Sequence, residues 1–110
     1  MPFQAADGGA DADGGGGMGE PIVEERTAQI RNRLGLHARP AAALVKMAAT
    51  FQSEITLSKD GLTVNGKSIM GVLMLAAEQG SQLVIQAVGV DATEAADALV
   101  ALVDRGFKES

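Results

Sequence analysis

The sequence predicts an α+β fold: a four-stranded antiparallel sheet with three helices on one face, in the order β-α-β-β-α-β-α. Three observations carry this expectation. Two stretches of alternating apolar residues flank Asp60-Gly61, and Asp-Gly is a strong tight-turn signal. Three other stretches repeat their apolar residues at helical spacing. The hairpin sits in the middle of the order, which favours antiparallel pairing with the helices gathered on one face.

Each element follows from its local pattern. Glu24 to Arg31 alternates weakly, with Ala28 and Ile30 on one face, and reads as a strand. Arg33-Leu34-Gly35-Leu36 reads as a loop. From Ala38 to Phe51 the apolar residues Ala41, Leu44, Val45, Ala48 and Phe51 line one side of a helix. Pro40 is tolerated in its first turn, where N–H groups have no intrahelical partner. Glu54–Ser58 and Leu62–Val64 are the hairpin strands. Asn65-Gly66-Lys67 turns into a short helix, Ser68–Ala76, with Ser68 or Lys67 near its cap and Val72, Met74 and Leu75 available to the core. After Gly80, Gln82 to Val88 is a strand. The last helix, Asp91–Arg105, opens on Asp91-Ala92-Thr93-Glu94, which has capping-box spacing. Its buried face is Ala92, Ala95, Ala96, Leu99, Leu102 and Val103, and Gly106 is placed to end it.

The 110 residues suit one small domain, residues 22–110, preceded by a leader. Residues 1–21 hold seven of the 14 glycines, mixed with Asp and Ala. Such a segment buries too little apolar surface to offset its ordering entropy, so it reads as disordered. It is an acidic interaction tail, a solvated extension, or a stretch preceding a start at Met18. The net charge of −5 is concentrated here: residues 1–25 carry six acids and no base, and the remaining eight acids meet all nine bases.

Composition also excludes functions. There is no cysteine and one histidine, so disulfides, thiolate metal sites and multi-histidine zinc sites are ruled out. No basic block or aromatic platform points to nucleic acid. No apolar run approaches the roughly 20 residues that span a bilayer, and no secretory signal is visible, which is compatible with a cytoplasmic location.

The one histidine, His37, lies in RLGLHARPAA, Arg33 to Ala42, at the expected start of the first long helix. The free N–H groups of Ala38 and Arg39 would point out of that end, where the helix dipole favours an anion. Arg39 adds a forked cation suited to phosphate oxygens. A helix N-terminus disfavours an imidazolium, leaving a neutral ring that is a nucleophile beside an anion site. Spacing alone leaves a plain loop or capping histidine about as well supported.

Two motifs carry a resemblance. GLHARPAA at Gly35–Ala42 resembles the active-site signature of the HPr family, the histidine-containing phosphocarriers of the bacterial phosphotransferase system. KSIMGVL at Lys67–Leu73 resembles that family's second signature, around its regulatory serine. Their order and separation match, from about Glu24 to the C-terminus. The resemblance implies an HPr-like open-faced sandwich and a cytoplasmic, monomeric carrier that needs no cofactor or metal and is not an enzyme in its own right. It implies that His37 accepts phosphate on Nδ1 from enzyme I and passes it to an enzyme IIA domain, with Arg39 neutralising the phosphate. It implies that Ser68 is the target of HPr kinase/phosphorylase, or else a plain N-cap. Ile69, Met70 and Leu73, extended by Ala42 and Ala41, correspond to an apolar docking patch. Leu34 departs from the family, which often has a polar residue there, and this bears on partner preference. A nitrogen-type relay uses the same motifs. The competing classes are a regulatory binding module controlled through Ser68, which would not need His37 and Arg39, and an enzyme using His37 as general base, for which no partner nucleophile is recognisable.

Overall fold

A computed structural model describes residues 21–108. Residues 1–20, nearly all of the expected leader, lie outside the described residues. The elements are β1 (Ile22–Gln29), α1 (Ala38–Ala48), β2 (Glu54–Lys59), β3 (Leu62–Asn65), α2 (Ile69–Met74), β4 (Gln82–Gly89) and α3 (Ala92–Asp104), closed by a 3-10 turn at Gly106–Lys108. The sheet order is β1-β4-β2-β3, and every neighbouring pair is antiparallel. β4 therefore inserts between β1 and β2, which run parallel to each other and are joined by α1.

The strands bury one face. Ala28 of β1, Ile55 and Leu57 of β2, and Leu83, Ile85 and Ala87 of β4 meet Ala41, Leu44 and Ala48 of α1, Val72 of α2 and Ala95, Ala96, Leu99 and Val103 of α3. Each fully buried Leu or Ile contributes about 1.5–3 kcal/mol. The alternate residues Thr56, Ser58, Val84 and Gln86 are only half-buried, so the other face of the sheet is open. The hairpin turns as expected: Asp60 and Gly61 both have positive φ, 51° and 86°, the pattern of a type I′ turn. All six residues expected on the buried face of the last helix are buried, and Gly106 (φ 66°) follows the C-cap.

Four local expectations are corrected. α1 stops at Ala48, short of Phe51, because Thr50 turns back on Met47 through both its N–H (3.0 Å) and its hydroxyl (2.7 Å). Met74 is not core. It lies about 200° around the helix from buried Val72 and is 66% exposed. α2 ends at Met74 and not at Ala76, because Ala76 adopts φ 49°, a left-handed conformation that a helix cannot continue through. Asp91 does not make the capping-box bond. Its carboxylate instead accepts from the backbone N–H of Gln52 (2.8 Å) and Ser53 (2.9 Å) and from the Ser53 hydroxyl, tying the start of α3 to the chain entering β2.

The segment between β1 and α1 is fastened at several points. Ile30 exchanges backbone hydrogen bonds with the 80–81 turn, at 2.8 Å each. Asn32, buried, donates its side-chain amide to the Gly35 carbonyl (2.8 Å), and Gly35 N–H donates back to the Asn32 carbonyl (3.1 Å). Leu36 N–H donates to the Ala77 carbonyl at 2.8 Å, joining this loop to the chain leaving α2. Gly35 has φ 70°, and a Cβ there would strike the Ala77 carbonyl oxygen and lie 3.0 Å from the Glu78 Cα.

Two outcomes are expected from these contacts. The Ser53 hydroxyl first, then the Gln52 N–H, hold the Asp91 carboxyl below its ordinary pKa. The unfolded chain therefore binds the proton more readily, so this stabilisation is complete above the ordinary carboxylate range and is lost as pH falls through the folded value. Thermal melts of Asp91→Asn should show a lowered midpoint at pH 7, and the gap to the parent protein should narrow as the solution is acidified. Gly35→Ala combines a left-handed backbone with a backbone clash. Urea unfolding should show a loss of about 1–3 kcal/mol, with amide-exchange protection falling first around Leu36 and Ala77.

Candidate functional site

His37 is the N-cap of α1. Its backbone is extended (φ −78°, ψ −170°), and its imidazole does not cap the helix. Its N–H bonds the Gly35 carbonyl (3.0 Å) and its carbonyl accepts from Ala41 (3.0 Å). The backbone of His37 is thus held on both sides while its half-exposed ring stands at the mouth of the helix. The turn above it offers the N–H groups of Ala38 and Arg39. Pro40, buried, has none to offer and fills the core side. No acidic residue lies in this first turn.

The Arg39 side chain is exposed and makes no ion pair with another described residue. Arg39, Ala42 and Lys46 follow one another at helical spacing along a single exposed stripe of α1. An imidazole, two helix-end amides and an exposed guanidinium are thus carried by the cap and first turn of α1, where a dianionic group would be stabilised.

α2 packs beside α1. Ser68 is its N-cap, and the hydroxyl oxygen accepts from Gly71 N–H at 3.1 Å. The turn before it is set by Asn65, whose side chain accepts from Lys67 N–H (2.8 Å) and whose carbonyl accepts from Ser68 N–H (3.1 Å). Within the expected patch, Met70 is 68% and Ile69 41% exposed, Leu73 is half-buried against the core, Ala42 is exposed and Ala41 is fully buried. Ala41 therefore belongs to the core and not to the patch. Sequence reasoning missed Met74, one turn after Met70 on the same side of α2. Leu34, 69% exposed in the loop before His37, is a further apolar group at the site. Helical spacing from Met70 was the available signal for Met74.

Among the described residues, no group of three or more His, Cys, Asp or Glu side chains is placed to hold a metal ion, and no helix is long and apolar enough to cross a membrane.

The family model described as "PTS HPr component phosphorylation site" matches residues 24–105. Phosphocarrier protein NPr of Proteus mirabilis is 45% identical over 89 residues, covering 80% of this chain and 99% of that protein. Phosphocarrier protein HPr of Cupriavidus necator is 47% identical over 85 residues, covering 77% and 96%. The crystal structure of HPr-C-His from Thermoanaerobacter tengcongensis superposes with a TM-score of 0.76 at 46% identity, covering 79% of this chain and 98% of that one. Family model, relatives and superposed structure agree, and the chain belongs to the HPr family of phosphotransferase-system phosphocarriers.

Proposed function

We propose that His37 carries the phosphoryl group, receiving it from phosphorylated enzyme I and delivering it to an enzyme IIA domain in the cytoplasm. The observation that supports this most directly is the imidazole at the N-cap of α1, beside two helix-end amides and the exposed side chain of Arg39 in the same turn. The Nδ1 lone pair attacks phosphorus, an N–P bond forms, and the bond to the donor breaks. The Ala38 and Arg39 N–H groups and the Arg39 side chain stabilise charge on the phosphoryl oxygens as they pass between donor and acceptor. The steps reverse when the acceptor attacks, so the protein is consumed and regenerated as a carrier. A monomer suffices, because one chain holds every group in the scheme.

Ile69, Met70 and Leu73, with Ala42, serve as the docking patch. Unbranched methionine side chains adapt to unlike partners, which suits one surface used by a donor and an acceptor. Ser68 is the regulatory position, modified by HPr kinase/phosphorylase. Its oxygen already caps α2, and a phosphate there adds about two negative charges next to exposed Ile69 and Met70. That charge opposes any partner that meets the patch with apolar or acidic groups. A second reading, a nitrogen-type regulatory relay built on the same chemistry, draws on the likeness to the Proteus NPr protein. Comparing sugar-type and nitrogen-type enzyme I as donors separates the two.

Incubation with enzyme I and phosphoenolpyruvate should add one acid-labile phosphate to the parent protein and none to His37→Ala. Arg39→Ala should still be loaded, but about 100-fold more slowly, the scale for losing one transition-state donor. An unlabelled parent protein beside a competent enzyme I would overturn the carrier assignment. With ATP and HPr kinase, an acid-stable phosphate should appear and should be lost in Ser68→Ala. The phosphoserine form should then be loaded by enzyme I more slowly than the unmodified protein. Phosphate retained in Ser68→Ala would show the assignment to be wrong.

A further inference from the structure

The carboxylates of this chain are segregated. No Asp or Glu occurs from Arg26 to Ser53, nor from Gly61 to Ala77, so the His37 loop, α1 and α2 contain none. The same stretches carry exposed Arg33, Arg39 and Lys46, and the exposed apolar side chains of Leu34, Ile69, Met70 and Met74. The face is cationic and apolar at its centre, and the segments that form it supply no carboxylate; exposed Glu78, just past Ala77, borders it beside Gly35. Residues 1–20 are its complement: four carboxylates (Asp7, Asp11, Asp13, Glu20), no Lys or Arg, and the apolar side chains of Met1, Phe3 and Met18.

The connection point allows the two to meet. Ile22 pairs with Gly89, and Val23 with Val88, which also pairs with Glu54. The leader therefore joins the domain at the end of the sheet where α1 finishes and β2 begins. His37 stands at the other end, about one eight-residue strand or 26 Å away. A glycine-rich chain of 20 residues has a root-mean-square span of about 25 Å. Lys46, near the end of α1, lies between the two. Attachment at this range gives an effective concentration in the millimolar range, at which weak charge pairing becomes appreciable.

We propose that residues 1–20 dock within the same molecule, through their carboxylates, on the α1–α2 face bearing Arg39, Lys46, Met70 and Met74. The leader then covers the surface that the relay needs for docking. That consequence rests on the function proposed above, whereas the contact itself does not. A contact of this kind is held mainly by exposed charges, so it is screened by salt.

The five methionines report on it directly, two in the leader (Met1, Met18), two on the face (Met70, Met74) and one, Met47, half-buried against the core. Methyl-labelled full-length protein is compared with the full-length Asp7→Asn/Asp11→Asn/Asp13→Asn variant, with no enzyme present. At low ionic strength the Met70 and Met74 methyl signals should differ between the two chains while Met47 does not move. In about 1 M salt, where the Debye length is about 3 Å, the spectra should converge. Lys46→Gln in the parent chain should move Met70 and Met74 part of the way toward the variant. Superimposable Met70 and Met74 signals at low salt would overturn the proposal, as would a difference that survives 1 M salt. A difference that grows with protein concentration would assign the contact to a second copy and overturn the intramolecular form.

Discussion

The hydrogen bond from Leu36 N–H to the Ala77 carbonyl, 2.8 Å, joins the start of α1 to the end of α2, and the site depends on that junction. Both sides of the bond adopt backbone conformations that most residues avoid. Gly35 takes φ 70° with the Ala77 carbonyl oxygen where a Cβ would go, so only glycine fits. Ala76 takes φ 49° without glycine's freedom, at a cost of about 1–2 kcal/mol, and thereby turns the Ala77 carbonyl toward Leu36. The neighbouring Asn32–Gly35 pair closes the loop from inside. Once Leu36 is held, His37 follows it directly as the N-cap, and α1 begins at a fixed place relative to α2.

That junction explains how so short a helix as α2 forms part of a surface. Six residues do not form a stable helix alone. α2 buries Val72 within its length and Leu75 just beyond it, while Gly71 lies close to Val64 of β3. Ser68 caps it at one end, and the Ala77 bond retains the other. Lys59 adds a bond from its ammonium to the Leu75 carbonyl at 3.3 Å. With the ends held by polar bonds and the core requirement met by two side chains, Met70 and Met74 are left outward.

The sheet, the hairpin and the buried faces of α1 and α3 were legible because each rests on a local pattern: period-2 alternation, Asp-Gly, and apolar residues at helical spacing. The position of His37 at a helix start was legible for the same reason, since Gly35 and Pro40 bracket it. What was not legible depends on contacts distant in sequence. Asp91 has capping-box spacing, yet its carboxylate serves Gln52 and Ser53, nearly forty residues earlier. Ala76 carries no signal for a left-handed residue, because alanine ordinarily prolongs a helix. Met74 looks like core by composition, and its exposure follows from which face of α2 the core takes, the one bearing Val72. Ala41, grouped with Ala42 on the small size of both, separates from it because consecutive helical residues point about 100° apart.

The distribution of carboxylates follows from the same division of the molecule. Away from the site they act as structural anchors. Glu24 accepts from Arg26 (2.8 Å) and from the Thr93 hydroxyl (2.9 Å), and Arg26 reaches Asp97 (3.3 Å), so edge strand β1 is fastened to α3. The Arg26 hydrogen bond, then the Thr93 hydroxyl, lower the Glu24 pKa, which favours the ionised form of this anchor. Near the helix end at His37 the same group would act oppositely. Two unit charges 4 Å apart interact by about 4 kcal/mol at the effective dielectric of a protein surface, and a phosphoryl group carries nearly twice that charge. One misplaced carboxylate would therefore offset much of what Arg39 and the two amides contribute. Excluding acids from Arg26 to Ser53 and from Gly61 to Ala77 leaves anion stabilisation to this face and carboxylate anchoring to the rest of the fold.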